Sequence, residues 1–485
     1  MTTMPLSNLP VGTPANPLRV AIIGSGPSGF YAADHLQKQP DLVVDIDMFD
    51  RLPTPFGLVR GGVAPDHPKI KSVTKVYDKI AQHQHFRFFG HVEYGTDLVY
   101  ADLARHYHAI IFAVGAQTDR RMDIPGEDLP SSHPATEFVA WYNAHPDYPD
   151  YEFDLTAENV AVIGLGNVAM DVIRILASTP EELAETDIAD YALEALRHSR
   201  VKNIYVLGRR GPAQSAFTNP EIKELGELHA ANVIVAPGEV TLDPHSQAFI
   251  DSGADKVAAK NVEVLKVYAA RGDNGKPRKI IMRFLVSPTE IIGTDKVEAI
   301  KVVKNELQPD DKGNLKARAT GEYETIPVGL VFRSVGYQGV ALPGVPFNEK
   351  SAVIPNDRGR VLTDTPAGAP VIGNYVAGWI KRGPTGVIGT NKPDSVETVE
   401  MLLEDLQAGL LLDPSEPDRA SIEDLLNRQH IRYVTYQHWL TLDRIEQERG
   451  VNRGAPRLKF SRVDEMLDAI ADHKITAVSE AMPGD

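Results

Sequence analysis

The sequence predicts an α/β protein that contains two similar strand–turn–helix units. Two short apolar runs, Leu18–Ile23 and Asn159–Ile163, are each followed by a glycine-rich turn and then by a segment with helical periodicity. Continuous apolar runs of this length are typical of strands that are buried on both faces of a parallel sheet. Alternation of such strands with helices indicates a layered α/β architecture.

The turn after the first strand has the spacing G-x-G-x-x-G, formed by Gly24, Gly26 and Gly29. In such a turn the first glycine lets the chain leave the strand sharply and the second lets a pyrophosphate approach the backbone. The third lets the following helix, predicted over Phe30–Gln39, pack closely on the strand. Free N–H groups at the start of that helix attract phosphate. The stretch therefore predicts a dinucleotide site, the alternative being a purely structural turn.

A second strand, Leu42–Phe49, ends in Asp50, about 20 residues after the last glycine, where an acid accepts from a ribose hydroxyl. The proline- and glycine-rich stretch after Asp50 is expected to form an ordered loop close to the cofactor. The pattern then predicts a helix at Lys69–Ile80 and strands at Phe86–Tyr94 and Tyr107–Val114.

The second unit carries the turn G-x-G-x-x-A, formed by Gly164, Gly166 and Ala169. Its next strand, Asn203–Leu207, is followed by the pair Arg209–Arg210 instead of an acid. Guanidinium groups bind a 2′-phosphate that a carboxylate would repel, so this site is predicted to prefer NADP to NAD. The alternative is an exposed basic pair on a surface loop.

The remaining segments contain few further motifs. We place a crossing between two domains in the polar stretch Ala116–Pro130 and an acidic insertion at Pro180–Asp190. Alternating runs between Asn261 and Leu307 (VEVLKVYAA, KIIMRFLV and VEAIKVVKNEL) predict an antiparallel meander. Further predictions are strands at Pro327–Gly336 and Val371–Ala377, a helix at Ser395–Leu406, and a mostly helical, charged region without assigned chemistry beyond Asp413.

Composition excludes several classes of protein. The 485 residues suggest two to four domains, and no run approaches the ~18 apolar residues of a membrane span. The first 16 residues lack Lys, Arg and an apolar core, so we expect a loose arm that is neither signal nor transit peptide, and a soluble, cytoplasmic protein. A net charge of −16 argues against bulk nucleic-acid binding. The absence of cysteine excludes disulfides, a catalytic thiol and thiolate-ligated metal clusters.

Five long motifs carry a resemblance that spans roughly residues 17 to 460: GSGPSGFYAADHL, LPTPFGLVRGGVAPDHPKIK, GLGNVAMDVIRIL, GRRGPAQSAFTNPEIKEL and GWIKRGPTGVIGTNK. The sequence resembles the adrenodoxin-reductase-type family of ferredoxin–NADP reductases, including its actinobacterial members. The resemblance implies two Rossmann-like dinucleotide-binding domains, with an NADP domain (118–338) inserted in an FAD domain made of 1–117 and 339–485, the latter with the C-terminal helices. It implies passage of a hydride between NADPH and FAD and of single electrons between FAD and a ferredoxin-type iron–sulfur protein.

The resemblance also implies roles for individual residues. FAD is expected to contact Gly24, Gly26, Ser28, Gly29, Asp50, Leu58, Val92, Trp379, Gly386, Val387 and Ile388. NADPH is expected to contact Gly166, Asn167, Val168, Arg209, Arg210 and Glu221, with Gly386 near its nicotinamide. His67 and Glu224 match a polar pair near the flavin and are the candidate catalytic residues. Family members more often have Glu at the position of Asp50. Without the resemblance, Trp379 is better interpreted as a core aromatic than as a flavin contact. For His67, a loop-capping role between prolines is as good an interpretation as a catalytic one.

Three other functions are considered. A pyridine-nucleotide–disulfide reductase would need a dithiol, which the chain lacks. A flavin oxidase, hydroxylase or diaphorase with a small acceptor remains an alternative, as does a non-catalytic NADPH-sensing module without flavin.

Because ferredoxins are usually acidic, docking requires a local basic face. The candidates for it are Lys69, Lys71, Lys75, Lys381, Arg382 and Lys392.

Overall fold

The computed structural model describes residues 10–365 and 368–472. Its strands are β1 (Leu18–Ile23), β2 (Val44–Asp50), β3 (Phe86–Gly90), β4 (Ala109–Phe112), β5 (Thr118–Asp119), β6 (Ser132–Pro134), β7 (Asn159–Ile163), β8 (Asn203–Leu207), β9 (Ala231–Val235), β10 (Arg278–Arg283), β11 (Val286–Ile292), β12 (Ala299–Pro309), β13 (Leu315–Pro327), β14 (Leu330–Arg333), β15 (Tyr337–Gln338), β16 (Asn356–Asp357), β17 (Arg360–Leu362) and β18 (Pro370–Val376).

The α-helices are α1 (Pro27–Gln37), α2 (Leu58–Gly61), α3 (Pro68–Lys71), α4 (Thr74–Ala81), α5 (Tyr100–His106), α6 (Ala135–Tyr142), α7 (Asn167–Ala177), α8 (Pro180–Ala184), α9 (Asp190–Arg197), α10 (Asn219–Glu227), α11 (Pro244–Asp251), α12 (Lys256–Arg271), α13 (Trp379–Arg382), α14 (Asn391–Ala408), α15 (Ser421–Arg428), α16 (Tyr436–Arg453) and α17 (Val463–Asp472). Short 3₁₀ turns lie at Pro212–Gln214, Pro237–Val240 and Ile388–Thr390. None of these helices is long and apolar enough to cross a bilayer.

A seven-stranded sheet has the order β16-β17-β18-β4-β1-β2-β3 and is parallel from β18 to β3. Its strands come from both ends of the described chain, because β18 pairs with β4. The buried rings of Phe30 on α1 and Tyr77 on α4 stack 4.8 Å apart beneath one face. We call this sheet, with α1–α5, α13–α15 and α17, the first lobe; α16 packs on it and is described separately below.

A second sheet of six parallel strands has the order β6-β14-β7-β8-β10-β9 and is built wholly from the middle of the chain. The antiparallel sheet β11-β12-β13 packs beside it. We call these two sheets, with α6–α12, the second lobe. The predicted α/β fold with two strand–turn–helix units is therefore confirmed.

The two passages of the chain between the lobes pair with each other. Thr118–Asp119 and Tyr337–Gln338 form a two-stranded antiparallel ribbon, β5 with β15. The ring of Trp379 lies beside this ribbon, with its centroid 5.4 Å from that of the Tyr337 ring. The covalent connections of the lobes therefore lie side by side, close to residues that line the cavity described below.

The predicted meander over 261–307 is wrong in two of its three strands. The run VEVLKVYAA lies in α12, where Val262, Leu265 and Tyr268 are buried at intervals of three residues. Helix α12 begins after Asp255, whose side chain accepts hydrogen bonds from two backbone N–H groups of its first turn. Most of the run KIIMRFLV lies in β10, which pairs in parallel with β8 and β9, and only its last residue, Val286, begins the antiparallel β11. Of the three predicted strands, only VEAIKVVKNEL, as β12, lies mainly in the antiparallel sheet.

Two other predictions need correction. The single helix expected at Lys69–Ile80 is divided into α3 and α4, because the hydroxyl of Ser72 donates to the carbonyl of Lys69 at 2.6 Å and competes with the helix. The arm expected at residues 1–16 falls partly outside the described residues. Of its described part, the carbonyl of Gly12 accepts from the N–H of Val43 at 2.7 Å, which ties this part to the first lobe.

Candidate functional site

A cavity of about 1270 Å³ lies between the two lobes. It exceeds the roughly 300–1,000 Å³ of a pocket for one small ligand. Of the residues predicted from the sequence, it is lined by Gly24, Asp50, Leu58, His67, Val92, Asn167, Val168, Glu221, Glu224, Trp379, Gly386, Val387 and Ile388. Its lining does not include Gly26, Ser28, Gly29, Gly166, Arg209 or Arg210.

The first glycine turn has one open position between two crowded ones. A Cβ on Gly24 would lie 2.5 Å from the carbonyl oxygen of Ala113, and one on Gly29 would lie 2.3 Å from that of Gly24. A Cβ on Gly26 would meet no atom within 4 Å. Gly26 is also the N-cap of α1, so the open position lies at the end of the helix whose first N–H groups have no partner within the helix. This arrangement fits a pyrophosphate.

Asp50 lines the cavity and also closes the turn. Its Oδ2 accepts hydrogen bonds from the backbone N–H and the hydroxyl of Ser25, at 2.9 and 2.5 Å, and its Oδ1 accepts from the N–H of Leu52 at 3.0 Å. Each carboxylate oxygen has capacity for more than one donor. The hydroxyl of Ser28 is buried and donates to Oδ1 of Asn391 at 3.2 Å, so it points to α14.

The second glycine turn repeats the first in the other lobe. A Cβ on Gly164, which has φ +131°, would lie 2.2 Å from the carbonyl oxygen of Ser334, whereas one on Gly166 would meet no atom within 4 Å. The side chain of Asn167 is held in place, because its Oδ1 accepts from the N–H of Thr218 at 2.9 Å. The turn therefore offers a second open approach to a helix N-terminus, that of α7.

Arg209 and Arg210 are exposed after β8, outside the cavity. Their backbone is fixed, because the carbonyl of Arg209 accepts from Nδ2 of Asn305 at 2.9 Å and that of Arg210 accepts from the N–H of Leu285 at 3.2 Å. Partial burial and repulsion by Arg209 lower the pKa of Arg210. Neither guanidinium forms an ion pair with a described residue, so both are available to an anion.

His67 and Glu224 meet across the boundary of the lobes. Nε2 of His67, the N-cap of α3, lies 3.0 Å from Oε2 of Glu224 on α10. The His67 side chain is 12% exposed and that of Glu224 is 40% exposed, so the pair connects a buried position to solvent.

Arg174, which sequence reasoning missed, lies beneath this pair. Its guanidinium is 2.5 Å from Asp66, 2.6 Å from Asp171 and 2.9 Å from Glu221, and 3.5 Å from Nδ1 of His67. Asp66 belongs to the first lobe, whereas the two other acids belong to the second. One signal was present in the sequence: a charged residue on the apolar stripe of a helix must find partners when it is buried.

Among the acids around Arg174, Glu221 has the most strongly shifted pKa. Burial and the negative charge of Asp171 raise its pKa to about 7, although Arg174 opposes the shift. Burial also raises the pKa of Asp171. For Asp66, burial would raise the pKa, but the hydrogen bond and the positive charge of Arg174, with smaller contributions from His67 and the backbone, together lower it. The three acids beside one guanidinium therefore differ in how readily they hold a proton.

Apolar side chains cover the other walls of the cavity. Leu58 is 37% exposed and Val387 is 52% exposed, although both are large and apolar. Exposed apolar side chains inside a cavity indicate contact with an apolar ligand surface. Trp379 is fixed by its Nε1, which donates to the carbonyl of Thr385 at 3.2 Å. Val92 is buried in the core of the first lobe and also lines the cavity.

The predicted basic docking face is wrong for two of its members. Lys71 pairs with Asp187 at 2.6 Å, and Lys381 pairs with Glu397 at 2.7 Å; both lysine side chains are largely buried. Arg382 is partly buried and donates to Oδ1 of Asn391 at 2.8 Å. Lys69, Lys75 and Lys392 are exposed, and Lys69 lies on the rim of the cavity.

Comparison with known proteins gives concordant results. Residues 18–205 match the pyridine nucleotide-disulphide oxidoreductase family model. The chain is 46% identical over 453 residues to the NADPH-ferredoxin reductase FprA of Mycobacterium leprae, covering 92% of this chain and 97% of that one. It is 36% identical over 467 residues to the mitochondrial NADPH:adrenodoxin oxidoreductase of Arabidopsis thaliana, covering 94% and 96%. The structure of Mycobacterium tuberculosis FprA in complex with NADPH superposes with a TM-score of 0.88 at 45% identity, covering 94% of this chain and 100% of that one.

Proposed function

Because the chain belongs to the family of NADPH-ferredoxin reductases, we propose that the cavity is the place where its two cofactors meet. The protein is a flavoprotein oxidoreductase that uses FAD and NADP(H). When bound, the cofactors supply the redox chemistry: a hydride moves between NADPH and FAD, and single electrons move between FAD and an iron–sulfur electron carrier. The roles of individual residues, the domain boundaries and the type of carrier are our proposals.

The proposed domains are an FAD domain made of 1–117 and 339–485 and an NADP domain made of 118–338. The strand order of the seven-stranded sheet supports this division, because β16–β18 complete a sheet begun by β1–β4. The pairing of β5 with β15 supports the boundaries, since both crossings of the chain lie in that ribbon.

In the FAD domain, the proposed pyrophosphate position is the open side of Gly26, between Gly24 and Gly29, with the ribose on Asp50. Ser28 would contribute its backbone N–H in the first turn of α1, because its hydroxyl is bonded to Asn391. The other proposed FAD contacts are Leu58, Val92, Trp379, Gly386, Val387 and Ile388.

In the NADP domain, the open side of Gly166 with Asn167 and Val168 is the proposed pyrophosphate position. The guanidinium groups of Arg209 and Arg210, which form no ion pair with any described residue, are proposed to hold the 2′-phosphate. The remaining proposed contact is Glu221 at the cavity wall.

His67 and Glu224 are the proposed catalytic residues. A hydride that reaches the flavin leaves its proton behind when the two electrons depart singly, so one proton per turnover has to be released to solvent. The hydrogen bond from Nε2 of His67 to the half-exposed carboxylate of Glu224 offers a route for this proton. The observation that carries the proposed site is the common cavity: this pair and residues of both glycine turns, Gly24 and Asn167, line it together.

The proposed carrier is a ferredoxin-type iron–sulfur protein, in accordance with the names of the relatives. Reduction of cytochrome c by NADPH, measured with and without added ferredoxins, tests this proposal. Stimulation by a ferredoxin is the expected result. An equal rate without it, together with rapid oxygen consumption, would instead favour the oxidase alternative.

A further inference from the structure

The C-terminal residues 436–462 contact both lobes. On the first lobe, the ring of Trp439 in α16 packs edge-on against Phe56 at 5.7 Å. The carboxylate of Glu446, whose side chain is fully buried, accepts two hydrogen bonds from Arg60, at 2.8 and 2.5 Å. The backbone N–H of Phe460 donates to the same carboxylate at 3.0 Å. The helix is therefore fixed to the first lobe by packing and by a buried ion pair.

On the second lobe, the end of α16 and the chain after it make polar contacts. The guanidinium of Arg453 donates to the carbonyls of Ile188 and Thr186, at 3.1 and 3.3 Å. Nζ of Lys459 donates to the carbonyl and to Oδ1 of Asn143, both at 3.3 Å, and lies 3.3 Å from Oδ2 of Asp187. These residues therefore bridge the boundary between the lobes.

Lys459 stands at a point where three parts of the chain meet. Its Nζ also donates to the carbonyl of Arg60 in the first lobe, at 3.2 Å, and its partner Asp187 binds Lys71 of the first lobe at 2.6 Å. The Lys459 side chain is 2% exposed, and burial holds its pKa well below the usual range. Although burial opposes it, the ammonium groups of Lys459 and Lys71 lower the pKa of Asp187 to about 2.

Burying two lysines around one aspartate is an inefficient way to stabilise a fold, since apolar packing often does as well. Such groups are better suited to fixing one relative position, because their hydrogen bonds are directional. The covalent connections of the lobes are confined to the ribbon β5–β15. The contacts of Arg453 and Lys459 supply a separate, non-covalent connection.

We propose that residues 436–462 form a brace that holds the second lobe against the first, and that Lys459 and Arg453 are positioning residues for transfer between the two cofactor sites. The second half of this inference rests on the proposed function. Transfer between two bound rings depends on reacting atoms held about 3–3.5 Å apart, so a small rotation of one lobe is enough to slow it.

The absence of cysteine allows a direct distance measurement. Lys38→Cys on the first lobe and Lys260→Cys on the second, both at exposed positions, can be spin-labelled without other reactive thiols. Pulsed electron–electron double resonance then gives the distribution of distances between the two spin labels, and so between the lobes, in the holoprotein. The brace variants are Lys459→Met and Arg453→Ala. The matched control is Arg444→Ala, because Arg444 lies on the same helix and forms an exposed pair with Glu448.

We expect the brace variants to widen this distribution and to slow flavin reduction by saturating NADPH at least 10-fold. In the brace variants, the rate at which ferricyanide reoxidises chemically reduced protein should be unchanged. In the control variant, both the distance distribution and the reduction rate should equal those of the parent. A distribution as narrow as that of the parent would overturn the brace, and a wide one with an unchanged reduction rate would overturn the positioning role. If Lys459→Met does not fold, the distance distribution and reduction rate of Arg453→Ala alone test the proposal. Failure of the proposed function would be recognised separately, as a parent protein that NADPH does not reduce.

Discussion

Nε2 of His67 and Oε2 of Glu224 lie 3.0 Å apart, although the residues belong to different lobes. Both residues line the same cavity as Gly24 and Asn167, one from each glycine turn. Because the bond joins the two lobes, it depends on how the lobes are positioned at the site.

Removing the charge from this bond should slow reoxidation of the reduced flavin without loss of the fold. Glu224→Gln keeps the shape of the side chain but removes the negative charge that the imidazole faces and the ability to take up a proton. We expect the rate of reoxidation by ferricyanide after reduction with NADPH, measured by stopped-flow absorbance, to fall about 10-fold, equivalent to about 1.4 kcal/mol. Glu227→Gln, at an exposed position one turn further along α10, is the control. Equal rates in the two variants would remove Glu224 from the catalytic residues.

The two arginines after β8 should determine the choice of nicotinamide cofactor. A hydrogen bond to a charged group contributes about 1.5–3 kcal/mol, so Arg209→Ala should raise KM for NADPH about 10- to 100-fold. KM for NADH should stay the same, because NADH has no 2′-phosphate. Arg197→Ala, which removes an exposed arginine of the same lobe, should change neither constant. A parallel loss with both cofactors would contradict the proposed phosphate contact.

The glycine turns provide a test that separates binding from folding. A methyl group on Gly26 or Gly166 meets no protein atom within 4 Å, so both alanine variants should fold. Gly26→Ala should purify with little flavin, whereas Gly166→Ala should keep its flavin and bind NADPH weakly. Gly238→Ala has equally open surroundings, lies away from the cavity and should behave as the parent. Full flavin content in Gly26→Ala would show that no pyrophosphate lies there.

The ionisation of Glu221 predicts a pH-dependent stability. Its pKa of about 7 in the folded protein lies above the 4.5 of the unfolded chain, so the folded state binds more protons between these values. Stability should therefore fall as pH rises from 4.5 to 7, and Glu221→Gln should remove this contribution. Denaturant unfolding at pH 5 and pH 8 measures it, and the variant should gain stability over the parent at pH 8 only. The same gain at both pH values would contradict the assignment.

The parts of the fold that depend on buried parallel strands were predictable from the sequence. Leu18–Ile23, Asn159–Ile163 and Asn203–Leu207 have the predicted bounds, because such strands are continuous apolar runs that end in recognisable turns. The run at 262–270 favours a strand by its sequence pattern, because its valines alternate with polar residues. The segment forms a helix because Leu265 and Tyr268 are buried on one face. That burial comes from tertiary packing in the second lobe, which the local pattern does not show.

The candidate site was predictable where it depends on local motifs and unpredictable where it depends on distant partners. The glycine turns and the arginine pair are local patterns. The ion pairs of Arg174 with Asp66 and of Lys71 with Asp187 join residues far apart in the chain, so only the folded structure brings them together. For the same reason the burial of Lys381, which excludes it from a docking face, could not be recognised from its position in the sequence.

Anaerobic titration of the purified protein with NADPH, followed through the flavin absorbance, tests the central claim most directly. The account predicts a yellow protein whose flavin bands are bleached by one equivalent of NADPH, and far more slowly by NADH. A protein that binds no flavin, or a bound flavin that NADPH leaves oxidised, would contradict the claim that both nucleotide sites open into one cavity.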